Sequence, residues 1–247
     1  MVPDESGTGG TVMRRRFPIA VVALAALVAL QSRSATAVLP TEEEERIQNS
    51  IQVLRDLTAT PDKAIPRHLL ERADAIVVIP TLIKGGFIFG AKHGRGVMSV
   101  RHAQDRAWSD PGFVAMTGGS IGWQIGVQSV DLVFLVMNRK GVDDLLADRF
   151  TIGGAASVAA GPVGRSADAA TDAKVASQIL AYSRASGLFA GATLEGASLR
   201  ADKDAINAFY ARPLTLKDIV ASSQRTTTLP KIATTWRDAL KEIAGAK

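Results

Sequence analysis

Ser120 lies in Gly118-Gly119-Ser120-Ile121-Gly122, the G-x-S-x-G spacing of a hydrolase nucleophile elbow. Such an elbow needs a strand before the serine, a helix after it, and then an acid and a histidine further along. The three histidines, His68, His93 and His102, all precede Ser120, and the residues that follow it read as strand. Acyl-transfer chemistry is therefore set aside. His93 and His102 could meet across a hairpin, but no His-Glu-x-x-His pattern or acidic cluster accompanies them, so they read as loop histidines rather than metal ligands. Residues 85–92 are Gly-rich like a phosphate loop, yet Ala91 stands where that loop places its lysine and no Ser or Thr follows Lys92. Gly94-x-Gly96 lacks the third glycine of a dinucleotide fingerprint. The chain reads as non-enzymatic, with no cofactor and no metal.

Lys84, Lys92, Arg95 and Arg101 are the remaining candidates. They fall on expected strand ends and turns inside a Gly-rich block, where backbone amides and one or two cations can form a concave site for a phosphate group. The alternative is ordinary solvated turn charge, and pattern alone leaves both readings open. Nucleic acid has less support, because aromatics make up 5% of the chain and do not interleave with the basic residues. The formal charge is +5; the first 37 residues hold four Arg against Asp4 and Glu5, so the remainder carries +3. That balance permits an anionic partner without choosing one.

These residues need a scaffold, and 47% hydrophobic content over 247 residues is enough for one sizeable core. Cysteine is absent, which excludes disulfides, Cys-ligated zinc and thiol chemistry. Thr41 with Glu44 forms a capping-box pattern, followed by Ile47, Ile51 and Leu54 at helical spacing up to Pro61. A short helix is expected from Pro66. The β-branched run 75–79, closed by Pro80, reads as a buried strand, and further strands are expected at 87–90, 97–101, 113–116, 120–130 and 132–137. Glycines punctuate nearly all of them, which implies bulges and sharp bends in a strongly curved sheet. Helices are expected at 141–148 and 202–211, and 175–183 with 186–199 reads as a hairpin. Residues 230–243 place Ile232, Trp236, Ala239, Leu240 and Ile243 on one face. This last helix either packs on its own domain or touches a membrane surface.

The N-terminus has the layout of an export leader: Arg14-Arg15-Arg16, a 14-residue apolar run at 17–30, and Ala35-Thr36-Ala37 as a small-x-small cleavage pattern. The run is shorter than the roughly 20 residues of a spanning helix, although an uncleaved anchor is the alternative. Met13, directly before the Arg triplet, is an alternative start, and the paired Arg leave general and twin-arginine export both open. The organisation expected is a signal peptide over 1–37, a domain over 40–220 and a C-terminal amphipathic helix within 221–247.

The motifs Pro80-x-x-x-Lys84-Gly85-Gly86-Phe87, Gly94-Arg95-Gly96-Val97, Trp108-Ser109-Asp110-Pro111 and Gly122-x-Gln124-x-Gly126 with Asp131 resemble the successive signatures of the SYLF domain family. The resemblance continues through Ala160-Gly161-Pro162-x-Gly164-Arg165, Tyr182-Ser183-x-x-x-Gly187-Leu188-Phe189-Ala190-Gly191, Leu194-Glu195-Gly196 and Asn207-x-Phe209-Tyr210, covering about 64–220 in family order. It implies a lipid-binding module. Eukaryotic members bind phosphoinositides and in some cases actin filaments, and bacterial members are commonly exported. Lys84 matches a basic position of the family motif, whereas Ala75-Ile76 stands where many members carry Lys-Gly. Many motif positions are Gly, Pro or aromatic and so specify fold more than chemistry. Trp108 with Asp110-Pro111 reads as a turn with an aromatic plug, and Asp131 as an acceptor for backbone donors rather than a base.

The combined expectation is an α+β fold in a single domain: a curved, barrel-like antiparallel β-sheet with flanking helices. Its function is to recognise anionic phospholipid head groups through Lys84, Lys92, Arg95 and Arg101, after export to the periplasm or the cell exterior. An envelope structural or protein-interaction module is the alternative function. Because a leader would remove the chain from any cytoskeleton, actin is expected to be an unlikely partner.

Overall fold

The computed structural model describes residues 39–59, 64–86, 89–121, 126–147, 149–152, 158–163, 178–183, 194, 196–222 and 229–245. Pro40–Lys247 forms one compact unit and Met1–Leu39 a separate one. The leader, together with the motif positions at 122–125, 164–177 and 184–193, lies outside the described residues.

The unit opens with α1 (Glu42–Ala59). Its capping box closes as the sequence requires: Thr41 Oγ1 accepts the Glu44 amide at 3.3 Å and Glu44 Oε2 accepts the Thr41 amide at 3.2 Å. Ile47, Ile51, Leu54 and Leu57 form its buried stripe. The short α2 (Arg67–Arg72) follows Pro66.

Among the described residues the core of the fold is a sheet of eight strands: β1 (Ala75–Gly86), β2 (Phe89–Val100), β3 (Gly112–Ile121), β4 (Gly126–Val136), β5 (Phe150–Thr151), β6 (Val158–Ala160), β7 (Ile179–Ser183) and β8 (Ser198–Ala201). Their spatial order is β5-β8-β3-β2-β1-β4-β7-β6. Every pairing is antiparallel except β6 with β7. Among the described residues four further helices follow: α3 (Arg139–Leu145), α4 (Lys203–Tyr210), α5 (Leu216–Ala221) and α6 (Lys231–Ala244). The fold is α+β, a curled half-barrel with helices packed around it, as the glycine-punctuated strands implied.

Two differences from the sequence reading have clear causes. Pro80 does not end β1. The strand continues through a bulge, with register shifts between Ile79 and Leu82 against β4 and between Val78 and Ile83 against β2. Thr81 takes φ 64° there, and its amide is accepted by Asp131 Oδ1 at 3.0 Å. A bulge is where a strand tolerates a residue without an N–H, and Asp131 replaces the ladder acceptor that the shift removes. The other difference concerns the hairpin expected from 175–183 with 186–199: residues 175–177, 184–193 and 195 lie outside the described residues, and the described ends, β7 and β8, do not pair with each other. β7 joins β4 on one side of the sheet, and β8 joins β3 on the other. Alternating hydrophobicity fixes which face of a strand is buried but not which strand lies beside it.

The bulge also explains Gly94-Arg95-Gly96. A Cβ on Gly96 would lie 2.2 Å from the Val78 carbonyl oxygen, and one on Gly94 would lie 2.7 Å from Ile79 Cγ2. Only glycine lets β2 pass so close to the displaced segment of β1.

Candidate functional site

The four cations singled out by sequence do not form one cluster. Lys84 and Lys92 are register partners across β1 and β2, with Gln128 and Gly118 extending the row onto β4 and β3. The structure describes Lys84 by its backbone position. Along β2, Ala91, His93 and Arg95 are exposed, whereas Lys92, Gly94 and Gly96 are buried. Lys92 therefore belongs to the inner side, and burial lowers the pKa of its ammonium group.

Arg95 faces outward into an open cleft of about 290 Å³ between the first turns of α1 and the β1 bulge. Ile83, 48% exposed, lies in the same cleft. Arg95 joins a four-membered ionic network. Its Nη1 pairs with Glu42 Oε1, and its Nε lies 3.7 Å from Asp202 Oδ2. Arg46 donates to the same Asp202 oxygen at 3.0 Å and to Glu42 Oε1 at 3.2 Å. Arg46 and Asp202 are buried, and Asp202 also caps α4 by accepting the Ala205 amide at 3.3 Å. The inner half of this network is therefore structural, while its outer half, Glu42 with Arg95, is open to solvent.

Arg101 has a different position: it is 2% exposed and fully occupied inside the protein. Its guanidinium donates to the carbonyls of Ala73 (3.2 Å), Arg106 (3.1 Å), Ala244 (2.7 Å) and Gly245 (3.0 Å), and stacks 4.1 Å from the Trp108 ring centroid. Burial, with the Arg106 charge adding to it and Asp74 and Glu71 opposing, lowers its pKa to about 10, so it remains charged at neutral pH. The structure places Arg101 in a clasp that fastens the C-terminus, not on a surface turn.

The same clasp accounts for Trp108-Ser109-Asp110-Pro111. The Trp108 ring lies beneath Arg101; Ser109 Oγ accepts the Val100 amide at 3.1 Å; Asp110 pairs with Arg237; and the Pro111 carbonyl accepts Tyr210 Oη–H at 2.8 Å. Trp236 on α6 donates from Nε1 to Ser99 Oγ at 2.8 Å. These contacts dock α4 and α6 onto the sheet, and they assign the amphipathic C-terminal helix to its own domain. The motif Asn207-x-Phe209-Tyr210 enters the same assembly, since the Phe209 ring packs 5.1 Å from that of Phe113.

Ser120 stands inside β3, paired with Gly90, and Ile121 continues the strand. It does not occupy the strand-to-helix turn of a nucleophile elbow. Gly161 and Tyr182, from two separate motifs, also meet: a Cβ on Gly161 would lie 2.1 Å from Tyr182 Cζ. Among the described residues the buried Tyr182 hydroxyl has no hydrogen-bond partner, and burial raises its pKa well above the usual phenol value. The sequence reading missed Glu42, Arg46 and Asp202 as partners of Arg95. Glu42 lies 53 residues from Arg95, and Arg46 lies 156 residues from Asp202, which leaves no local signal.

Taken together, fold and site define a single-domain α+β module whose recurrent motifs are mostly devices for closing a curled sheet and docking helices on it. Comparison with known proteins gives this class its family. Residues 117–243 match the family described as "Ysc84: Las17-binding protein actin regulator", and the chain belongs to this Ysc84/SYLF family. It is 38% identical to Protein YSC84 of Saccharomyces cerevisiae over 163 residues, 65% of this chain and 34% of that protein. LAS seventeen-binding protein 3 of the same yeast is 36% identical over 167 residues, 66% of this chain and 36% of that protein. SH3 domain-containing YSC84-like protein 1 of Homo sapiens is 29% identical over 188 residues, 74% of this chain and 54% of that protein. The chain thus spans about a third of the yeast relatives and about half of the human one. No solved structure matches.

These names describe binding and regulation, not catalysis. They also correct one expectation. Actin was set aside on the strength of the leader alone, but the matching family is described as an actin regulator and the yeast relatives are named for Las17 binding or as YSC84. A leader bears on where a chain is sent and says nothing about what its folded surface can hold.

Proposed function

We propose that this chain is a non-catalytic module that docks on anionic phospholipid surfaces. The observation that carries the reading is the setting of Arg95: an outward guanidinium, half exposed, in an open cleft with the half-exposed apolar Ile83. A cation beside an accessible aliphatic side chain suits the interface between a phosphate head group and the upper acyl chain. The residual charge of +3 supports it. Flotation with phosphatidylcholine vesicles, with and without an anionic lipid, tests it: binding is expected only when the anionic lipid is present.

A second reading is regulation of actin assembly, favoured because the family description falls on 117–243, inside this chain. Pelleting with actin filaments in the absence of lipid supports that reading, and no pelleting rejects it. The two readings divide on compartment. We propose export through the 1–37 leader to the periplasm or exterior, where the partner is lipid or an envelope protein; a retained leader would favour the cytoskeletal reading.

A further inference from the structure

Arg95 is not idle in the structure, and its present occupant is informative. Glu42, on the first turn of α1, is 66% exposed and reaches across to Arg95 Nη1. Behind it, Arg46 is held independently by the buried Asp202 at 3.0 Å. Removing Glu42 from the network therefore leaves Arg46 paired. Arg95 would keep only the long 3.7 Å approach to Asp202.

Resting on the phospholipid reading above, we propose that this cleft is the seat of a lipid head-group phosphate, with Arg95 as its contact and Glu42 as an internal anion that the phosphate must displace. Four features support the seat. A carboxylate already lies against Arg95, so the guanidinium geometry suits an oxyanion with several acceptor oxygens. The Glu42–Arg95 pair is exposed and solvent-screened, which makes it weak enough to exchange. A phosphomonoester carries up to two charges and three acceptor oxygens against the single charge of Glu42. His93, two residues before Arg95 on the same exposed side of β2, supplies a ring N–H in the same cleft.

Glu45 lines the cleft as well and opposes an incoming anion. The seat thus has a threshold: isolated or sparse phosphate does not clear the acidic rim, whereas a membrane surface dense in anionic lipid does. Glu42 sets that threshold, and Ile83 favours the lipid-borne phosphate over a free one by adding apolar contact with the bilayer.

The experiment uses residues 38–247, which include the whole compact unit from Pro40 onward. Binding is measured to phosphatidylcholine vesicles and to the same vesicles containing phosphatidic acid, for wild type, Glu42→Gln, Arg95→Gln and the double variant. Thermal melting confirms that each variant is folded, and Glu42→Gln is the gentler change because Arg46 keeps Asp202. The proposal expects Glu42→Gln to bind phosphatidic acid vesicles about three- to fivefold more tightly, the scale of one exposed ion pair. Arg95→Gln should weaken binding by a similar or larger factor, and the double variant should behave like Arg95→Gln. Tighter binding lost in the double variant identifies Arg95 as what Glu42 guards. If wild type and Glu42→Gln both ignore phosphatidic acid, the phospholipid reading itself fails. If wild type binds but neither single change alters affinity, the seat lies elsewhere and only this inference fails. Weaker binding by Glu42→Gln overturns the competition. Displacement by glycerol phosphate at matched phosphate concentration overturns the lipid source and leaves a small-anion site.

Discussion

Replacing Arg101 by leucine should loosen the C-terminal helix without touching the cleft. The guanidinium is the shared donor for four carbonyls, and those of Ala73 and Ala244 are buried hydrogen bonds. Leaving a buried acceptor unpaired costs about 1–3 kcal/mol, so two such losses, partly offset by leucine packing on Trp108, give a destabilisation of about 3 kcal/mol. For a domain of this size each kcal/mol lowers Tm by about 2–4 °C, which places the Arg101→Leu midpoint roughly 6–12 °C below wild type. Arg101→Lys should fall close to it, because a single ammonium cannot serve acceptors at Ala73 just after α2, the turn at 106 and the end of α6 together. Circular dichroism melts give the midpoint, and hydrogen exchange shows whether α6 is the element that loses protection. The reasoning is refuted if Arg101→Leu melts within a degree or two of wild type. It is equally refuted if the variant stays as stable as wild type yet loses binding to anionic vesicles, since that would place the guanidinium at the lipid surface.

Other consequences follow from close approaches and local charge. Gly96→Ala forces a methyl within 2.2 Å of the Val78 carbonyl, so a loss of about 1–3 kcal/mol or more is expected in urea unfolding, against no change if the bulge were elsewhere. Gly161→Ala should be destabilising alone and substantially rescued by Tyr182→Leu, a coupling that a double-mutant cycle measures; strict additivity would contradict the contact. The Asp218 carboxyl is held below the usual carboxylate range, first by the Thr215 amide at 2.8 Å and then by the Thr215 hydroxyl. Because the folded pKa lies below the unfolded one, its contribution is present above pH of about 4 and is lost as pH falls through the lower folded midpoint. An NMR titration placing Asp218 at or above that unfolded value would contradict the capping box. N-terminal sequencing of the protein expressed in a bacterial host should read from Val38 if 1–37 is a cleaved leader, and a retained Met would reject that.

Much of the frame could be read from local pattern. The Thr41–Glu44 box, the Trp236 face and the curvature implied by glycine each depend on neighbours a few residues away, and each stands as expected. Asp131 was also legible as an acceptor, because a lone carboxylate in an apolar strand needs donors; its donor is Thr81 at the bulge. The capping box of α5 was present as Thr215-x-x-Asp218, but a six-residue helix has too little apolar periodicity to draw notice. What sequence could not supply was long-range partnership. Arg95 and Arg101 look alike in a linear reading, both basic and both near strand ends. One sits beside a helix start 53 residues earlier, and the other is enclosed by a chain end 144 residues later. The same limit explains the misread hairpin, since β7 and β8 are individually sound strands whose neighbours come from opposite flanks of the central sheet.

The central claim is that the outward face at Arg95 recognises anionic lipid, and a salt titration of vesicle binding tests it most directly. Residues 38–247 should pellet with phosphatidylcholine vesicles containing phosphatidic acid and not with phosphatidylcholine alone. Rising ionic strength should release the protein, as expected for an exposed electrostatic contact. Equal and negligible pelleting with both vesicle types would contradict the account.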